Sequence, residues 1–181
     1  MLFKRTFDLI TSFLGLLIFS PFLLVTGLLV KFSSKGPILF RQERAGRHGI
    51  PFTIYKFRTM FIDHKGSSVS VKGEKRITPI GSILRKLKID ELPELWNILI
   101  GDMSFVGPRP EVPEYITKLV GEERLIIGLR PGLTSPASIK YKDEEELVAL
   151  ATDPQIYYNE VIWPDKVKMN IEYCKNRSLL G

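Results

Sequence analysis

The sequence predicts a mainly α fold with short β-hairpin elements, built as one small domain behind an N-terminal apolar helix. Three observations predict it: residues 9–30 carry no charge, later segments repeat apolar residues at helical spacing, and one pair of extended segments flanks a glycine-containing turn. At 181 residues the chain can enclose one domain core but not two. The division falls between residues 1–35, a membrane helix with its flanks, and residues 36–181, the domain.

The uncharged run comes first. About 22 residues at ~1.5 Å each give roughly 33 Å of helix, enough to cover a hydrocarbon core of about 30 Å. No small-residue cleavage site follows, so the run reads as a retained anchor and not as a secretory signal. Ser20-Pro21 lies at its middle. The proline removes a backbone hydrogen bond and crowds the preceding turn, which predicts a break or kink, and Ser20 is placed to bond the freed carbonyl. Lys4 and Arg5 precede the run, and Lys31, Lys35, Arg41, Arg44 and Arg47 follow it. Positive charge on both sides conflicts with a single crossing. Two topologies therefore stand, a kinked span and a re-entrant helix. Asp8 either pairs with Lys4 or Arg5 at helical spacing or sits hydrated at the interface.

Gly36-Pro37 marks a turn, and residues 37–40 with 52–58 read as two extended segments of a hairpin. Residues 64–76 are polar and without periodicity, so a mobile loop is expected. Thr78-Pro79 starts a helix whose apolar face holds Ile80, Ile83, Leu84 and Leu87. A second helix follows Pro93, carries Leu95, Ile98 and Leu99, and stops at Gly101. Three prolines make 107–113 a loop. Helices are expected over 111–120 and 143–151, and a final amphipathic one over 165–177 either docks on the domain or lies on a membrane through Trp163 and Tyr173.

The formal net charge of +6 favours anionic partners such as phosphates or lipid head groups. Nucleic acid is not expected as a partner, because aromatic–basic platforms are few. The single cysteine, Cys174, permits no internal disulfide and no Cys/His metal cluster, which suits a reducing, cytoplasmic side. Among candidate chemical groups, Asp90-Glu91 stands out, with Arg85 five positions earlier. Adjacent carboxylates repel unless a cation lies beside them, and magnesium binds one or two carboxylates together with substrate phosphates. An ionised Asp near a helix start is also a competent nucleophile at phosphorus. The alternative makes Asp90 an N-cap and Glu91 first-turn decoration. Between Arg41 and Lys88 the only acids are Glu43, Asp63 and Glu74, so a positive field precedes the pair. Arg109, held between Pro108 and Pro110, is aimed for bidentate phosphate or base recognition. Phosphate-binding glycine loops and the nucleophile-elbow motif are absent from the sequence, and His48 and His64 fall in polar loops.

Taken in order, Lys4-Arg5, Asp8, Ser20-Pro21, Gly36-Pro37-x-x-Phe40-x-Gln42-x-Arg44-x-Gly46, residues 56–60 (Lys-Phe-Arg-Thr-Met), Asp90-Glu91 and residues 101–110 (Gly-Asp-Met-Ser-Phe-Val-Gly-Pro-Arg-Pro) resemble the bacterial sugar transferase family. These are the monotopic phosphoglycosyl transferases that begin glycan assembly, exopolysaccharides among them. The resemblance implies a re-entrant membrane helix kinked at Ser20 and Pro21, and a cytoplasmic, interface-associated catalytic domain at the bacterial inner membrane. It also implies Mg2+-dependent transfer of a sugar 1-phosphate from a nucleotide diphosphate-sugar, with UDP-sugars the expected class, to polyprenyl (undecaprenyl) phosphate. By similarity Asp90 is the nucleophile that becomes a phosphosugar adduct, and Asp90 and Glu91 are the metal ligands. Lys56, Arg58, Arg85 and Arg109 are implied as phosphate or nucleotide contacts, and homo-oligomer formation is left open.

Ile89 and Glu94 stand where the family commonly has Leu and Gln. After residues 131–134 the family commonly continues Gly-x-Ala-Gln, whereas Ser135-Pro136-Ala137-Ser138 follows here. That departure bears on the nucleotide or sugar pocket, not on the carboxylate pair. Two competing readings are a membrane-tethered basic protein that binds anionic lipid or nucleic acid, and a hydrolase that uses water as acceptor.

Overall fold

The computed structural model describes residues 2–62 and 75–176. The loop expected over 64–76 lies outside these residues except for its last two, as does residue 177 of the final helix.

Helix α1 (Leu2–Ser33) runs through Pro21 without interruption, so the expected break does not occur. Pro21 has no N–H to give the carbonyl of Leu17, and Ser20 Oγ donates to that oxygen at 2.8 Å instead. The helix is packed inside-out. Its buried residues are Asp8, Ser12, Thr26, Gly27 and Val30, while Phe7, Ile10, Phe13, Leu17, Ile18 and Leu24 are exposed among many other large apolar side chains. By length and composition it can cross a membrane.

Both halves of α1 touch the domain. In the first half, Lys4 Nζ donates to Val106 O at 2.7 Å, and Arg5 donates to Ile98 O and Leu99 O at 2.6 and 2.8 Å. Asp8 is buried and accepts from the Phe105 N–H at 3.2 Å, so its partner is backbone and neither expected arrangement holds. Leu16 packs on the buried Ile54, Leu95, Ile98 and Met103. In the second half, Leu23 packs beside Val30, Phe57 and Leu84.

The expected hairpin forms from β1 (Leu39–Ala45) and β2 (Pro51–Phe57), antiparallel, with Gln42 opposite Ile54. Helix α2 (Pro79–Lys86) is capped by Thr78, whose Oγ1 accepts from the Gly81 N–H at 3.0 Å. A Cβ at Gly81 would stand 2.1 Å from Thr59 O, so only glycine lets α2 approach the chain after β2 this closely. On α2 Leu84 is buried but Ile83 and Leu87 face outward. Helix α3 (Glu94–Ile100) ends at Gly101 with φ 100, as its position predicts. Fully buried Asn97 ties α3 to the outer edge of β2: its Nδ2 donates to Thr53 O at 2.7 Å, and its Oδ1 accepts from Tyr55 N at 3.2 Å.

Downstream lies a feature that sequence periodicity does not reveal. Strands β3 (Ser104–Val106) and β4 (Gly132–Thr134) pair in parallel, bringing the proline loop after Val106 against Arg130 and Pro131. The helix expected over 111–120 is shorter, α4 (Pro113–Thr117), and a 3-10 stretch covers Gly121–Gly128. Helices α5 (Pro136–Lys140), α6 (Glu144–Ala149) and α7 (Pro154–Tyr157), a π turn (Tyr158–Ile162) and α8 (Trp163–Asn176) complete the described chain. Val167 on α8 packs with Leu119 and Ile126, so the final helix docks on the domain.

Candidate active site

A cavity of about 1540 Å³ opens beside Asp90 and Glu91, larger than the ~300–1000 Å³ of ordinary small-molecule sites. Its floor is set by a tight turn. Lys88 takes a left-handed conformation with φ 56, and the chain then makes one 3-10 turn, Ile89–Glu91, before α3. A non-glycine residue held there stores roughly 1–3 kcal/mol of strain. The turn sends Asp90 and Glu91 into the cavity ahead of α3.

The two carboxylates are held differently. Glu91 Oε1 takes Lys56 Nζ at 2.8 Å and forms a close ion pair with Arg109 Nη2. Burial opposes ionisation of Glu91, but the Arg109 and Lys56 charges and hydrogen bonds hold its carboxyl well below the usual range. Asp90 is 8% exposed and accepts no hydrogen bond among the described residues, and its Oδ1 is enclosed without a partner. Burial pushes its carboxyl above the ordinary value and the Glu91 charge adds to this, against Lys56, Arg85 and Lys88. The N-cap alternative finds no support, since Lys88 occupies the cap position and no side chain caps the turn.

Lys56 has a second acid. Glu94, 1% exposed, lies 3.1 Å from Lys56 Nζ through Oε1, and burial raises its carboxyl. In the sequence Glu94 stands out only as a departure from the family pattern. Its spacing of three from Glu91 was the available signal, because residues three apart share a helical face.

The basic residues separate into two groups. Lys56 and Arg109 hold Glu91, and Arg85, also lining the cavity, is paired with Glu145 and donates to Thr59 Oγ1 at 3.4 Å. Arg58 lines the cavity and reaches the end of α1: its Nη2 donates to Val30 O, Ser34 O and Ser34 Oγ at 3.1, 2.7 and 3.0 Å, while its Nε and Nη1 are enclosed without a hydrogen-bond partner. Of the four implied phosphate contacts, Lys56 and Arg109 are the two bonded to the carboxylate pair among the described residues. Ser20 bonds to Leu17 O within α1.

No group of three or more acidic, His or Cys side chains among the described residues could enclose a metal ion alone. Two carboxylates with substrate phosphates are nonetheless a ligand set that magnesium accepts, and the partnerless Asp90 Oδ1 has coordination capacity left.

A family model described as bacterial sugar transferase matches residues 1–181. The chain is 34% identical over 171 residues to the UDP-N-acetylgalactosamine-undecaprenyl-phosphate N-acetylgalactosaminephosphotransferase of Aeromonas hydrophila, covering 90% of this chain and 40% of that protein. It is 43% identical over 142 residues to the UDP-glucose:undecaprenyl-phosphate glucose-1-phosphate transferase of Caulobacter vibrioides, covering 76% and 53%. It is also 35% identical over 178 residues to the uncharacterized sugar transferase EpsL of Bacillus subtilis, covering 98% and 80%. The chain thus spans about half or less of the first two relatives and most of the third. A match over the whole chain makes the protein a member of the bacterial sugar transferase family.

Proposed function

We propose that the protein transfers a sugar 1-phosphate from a nucleotide diphosphate-sugar to polyprenyl phosphate, through an adduct on Asp90, at the cytoplasmic face of the bacterial inner membrane. The observation that carries this reading is the contrast within the pair: Glu91 Oε1 is bonded by two cations, whereas Asp90 lines the cavity with no donor spent on it. A carboxylate without hydrogen bonds keeps its lone pairs for attack. The names of the relatives, with UDP-sugar donors and undecaprenyl-phosphate acceptors, support the substrate classes.

In the first half-reaction a carboxylate oxygen of Asp90 bonds to the phosphorus that bears the sugar. The bond from that phosphorus to the nucleoside monophosphate breaks, and the monophosphate leaves with the electron pair. Arg109 and Lys56 place positive charge beside the oxygens on which negative charge grows. In the second, an oxygen of polyprenyl phosphate bonds to the same phosphorus and the Asp90 carboxylate is released. Magnesium, held by Asp90 and Glu91 with the donor phosphates, would supply charge neutralisation to the diphosphate.

The contacts of α1 favour the re-entrant topology over a span. Lys4, Arg5 and Asp8 bond to the same domain that Arg58 joins to Val30 and Ser34. A spanning helix would carry its first residues roughly 30 Å away across the hydrocarbon. A polyprenyl chain leaves the bilayer only at about 0.8 kcal/mol per exposed methylene, so a site at the interface meets both substrates.

The test uses purified full chain with magnesium, undecaprenyl phosphate and a panel of nucleotide sugars, following nucleoside monophosphate release. With donor alone, intact mass should show a phosphosugar adduct on a peptide containing residues 89–95, and Asp90→Asn should abolish both adduct and turnover. An adduct elsewhere, or turnover by a folded Asp90→Asn chain, overturns the assignment. Free sugar phosphate formed without lipid identifies a hydrolase instead.

A further inference from the structure

Of the ion pairs that line the cavity among the described residues, one links the chain before the proline loop to the chain after it. Arg85 belongs to α2 and Glu145 to α6, 60 residues apart, and the pair joins Nη2 of the arginine to Oε1 of the acid. Val148, fully buried with Tyr115, Tyr158 and Ile162, fixes α6 to the domain. The part left to move is the Glu145 side chain itself.

This pair differs from those around Asp90. The Glu91 side chain is 13% exposed and takes two cations, whereas the Glu145 side chain is 36% exposed and takes one among the described residues. A carboxylate that open to water holds its partner weakly, because the medium screens the attraction and both side chains give up freedom to keep it. Arg85 is the more enclosed partner, and its bonding is incomplete. Nη1 donates to Thr59 Oγ1 only at 3.4 Å, and Nε is enclosed with no partner among the described residues. A planar guanidinium in that state has donors to spare for a phosphate, which presents more oxygens than the one Glu145 brings. Its charge also reaches the reacting centre, since Arg85 is among the cations that oppose the upward shift of the Asp90 carboxyl. An anion of the chain itself therefore occupies an arginine beside the nucleophile.

We propose that Glu145 is a positioning residue that stands in for phosphate at Arg85: it holds the guanidinium while the site is empty, yields it to a nucleotide phosphate, and retakes it as the nucleoside monophosphate departs. This rests on the transferase reading above. If the pair is formed about four-fifths of the time, Arg85 is free for about one-fifth, and phosphates bind about fivefold more weakly than to an unpaired arginine. That factor is ~1 kcal/mol, the upper end for an exposed ion pair. The return is release. Transfer in two half-reactions needs the monophosphate gone before lipid phosphate enters, and an anion tethered at the arginine speeds that exchange.

The experiment titrates the full chain, in magnesium, with UDP and UMP by calorimetry, and assays turnover with UDP-sugars and undecaprenyl phosphate. Glu145→Gln should tighten UDP and UMP about fivefold and lower both the donor KM and the UMP inhibition constant by a similar factor, with kcat unchanged or reduced. Glu145→Asp, which keeps the charge, should bring these values back toward the parent. Glu146→Gln, the same loss of charge one residue on, should leave them within about twofold. In an Arg85→Ala background Glu145→Gln should change nothing, because the double-mutant cycle isolates the contact between the two. A helix tether with no part in binding gives another result: Glu145→Gln then lowers the unfolding temperature and leaves UDP and UMP affinity as they were. That result overturns the proposal, as does equal tightening in Glu146→Gln or in the Arg85→Ala background. If the tightening appears and depends on Arg85 but no donor is turned over, the competing carboxylate stands and the transferase reading fails. Turnover with parental KM and UMP inhibition in Glu145→Gln upholds the transferase reading and overturns the proposal, and so does turnover by chains that bind neither UDP nor UMP.

Discussion

Replacing Arg5 by Ala tests whether α1 and the Asp90–Glu91 turn are mechanically one unit. The Arg5 guanidinium forks onto the carbonyls of Ile98 and Leu99 at 2.6 and 2.8 Å, in the last turn of α3, where Ile98 O has only the cap bond from the Gly101 N–H at 3.2 Å beside it. Each charge-assisted bond is worth about 1.5–3 kcal/mol. Arg5 is half-buried, so water recovers part of the loss, and we expect about 2–3 kcal/mol of destabilisation after that discount. Arg5→Lys should fall about midway, since an ammonium cannot reproduce the planar fork. The assay is thermal unfolding of the detergent-solubilised chain, joined to amide exchange over residues 89–103. Because α3 continues directly from the Asp90–Glu91 turn, exchange should quicken in that turn as well as in α3. Stability within about 0.5 kcal/mol of the parent, the ordinary scatter of surface substitutions, would refute the reasoning. So would loss of protection confined to α1.

Glu91→Gln strips the shared acceptor from Lys56 and Arg109. Breaking such a partly buried network should cost about 2–4 kcal/mol in stability, and activity should fall about a hundredfold or more and recover in part at raised magnesium, read by monophosphate release. A variant that keeps parental kinetics removes Glu91 from the site. Asp90 and Glu94 titrate above their ordinary values in the folded chain, so the stability they lend is full below about pH 4 and is lost as pH rises through the raised values. Glu91, held low, contributes above its unfolded value and loses that contribution as pH falls through its depressed one. Asp90→Asn should therefore unfold at a higher temperature than the parent at pH 7, with the gap closing toward pH 4. Thermal scans across that range showing no gain at pH 7 would contradict it. Single cysteines at positions 4 and 35 should react alike with an impermeant reagent from the cytoplasmic side, and Pro21→Leu should shift some molecules to opposite labelling. Opposite labelling in the unaltered helix refutes the re-entrant topology.

Much of this was legible because it is local. Thr78-Pro79 and Gly101 mark helix ends through capping chemistry that acts within one turn, and both ends lie where the residues place them. The carboxylate pair was visible as adjacent like charges. What escaped depends on partners far along the chain. Asp8 meets Phe105 across 97 residues, Arg58 reaches back to Ser34 at the end of α1, and β3 finds β4 although each has only three residues and no alternating pattern. Glu111 and Tyr158 line one cavity although they lie far apart in the chain, and no spacing rule in one sequence encodes that.

The two short sheets share a construction whose consequence concerns self-association. A two-stranded sheet leaves rows of backbone donors and acceptors on both outer sides, and such rows recruit strands from neighbouring molecules. Here Asn97 covers the Thr53 and Tyr55 positions on β2, while Asp8 and Lys4 cover Phe105 and Val106 on β3. The shields come from helices, which cannot be displaced one hydrogen bond at a time. Beside identical copies, the protein therefore gives a stray strand no template at these edges to polymerise upon.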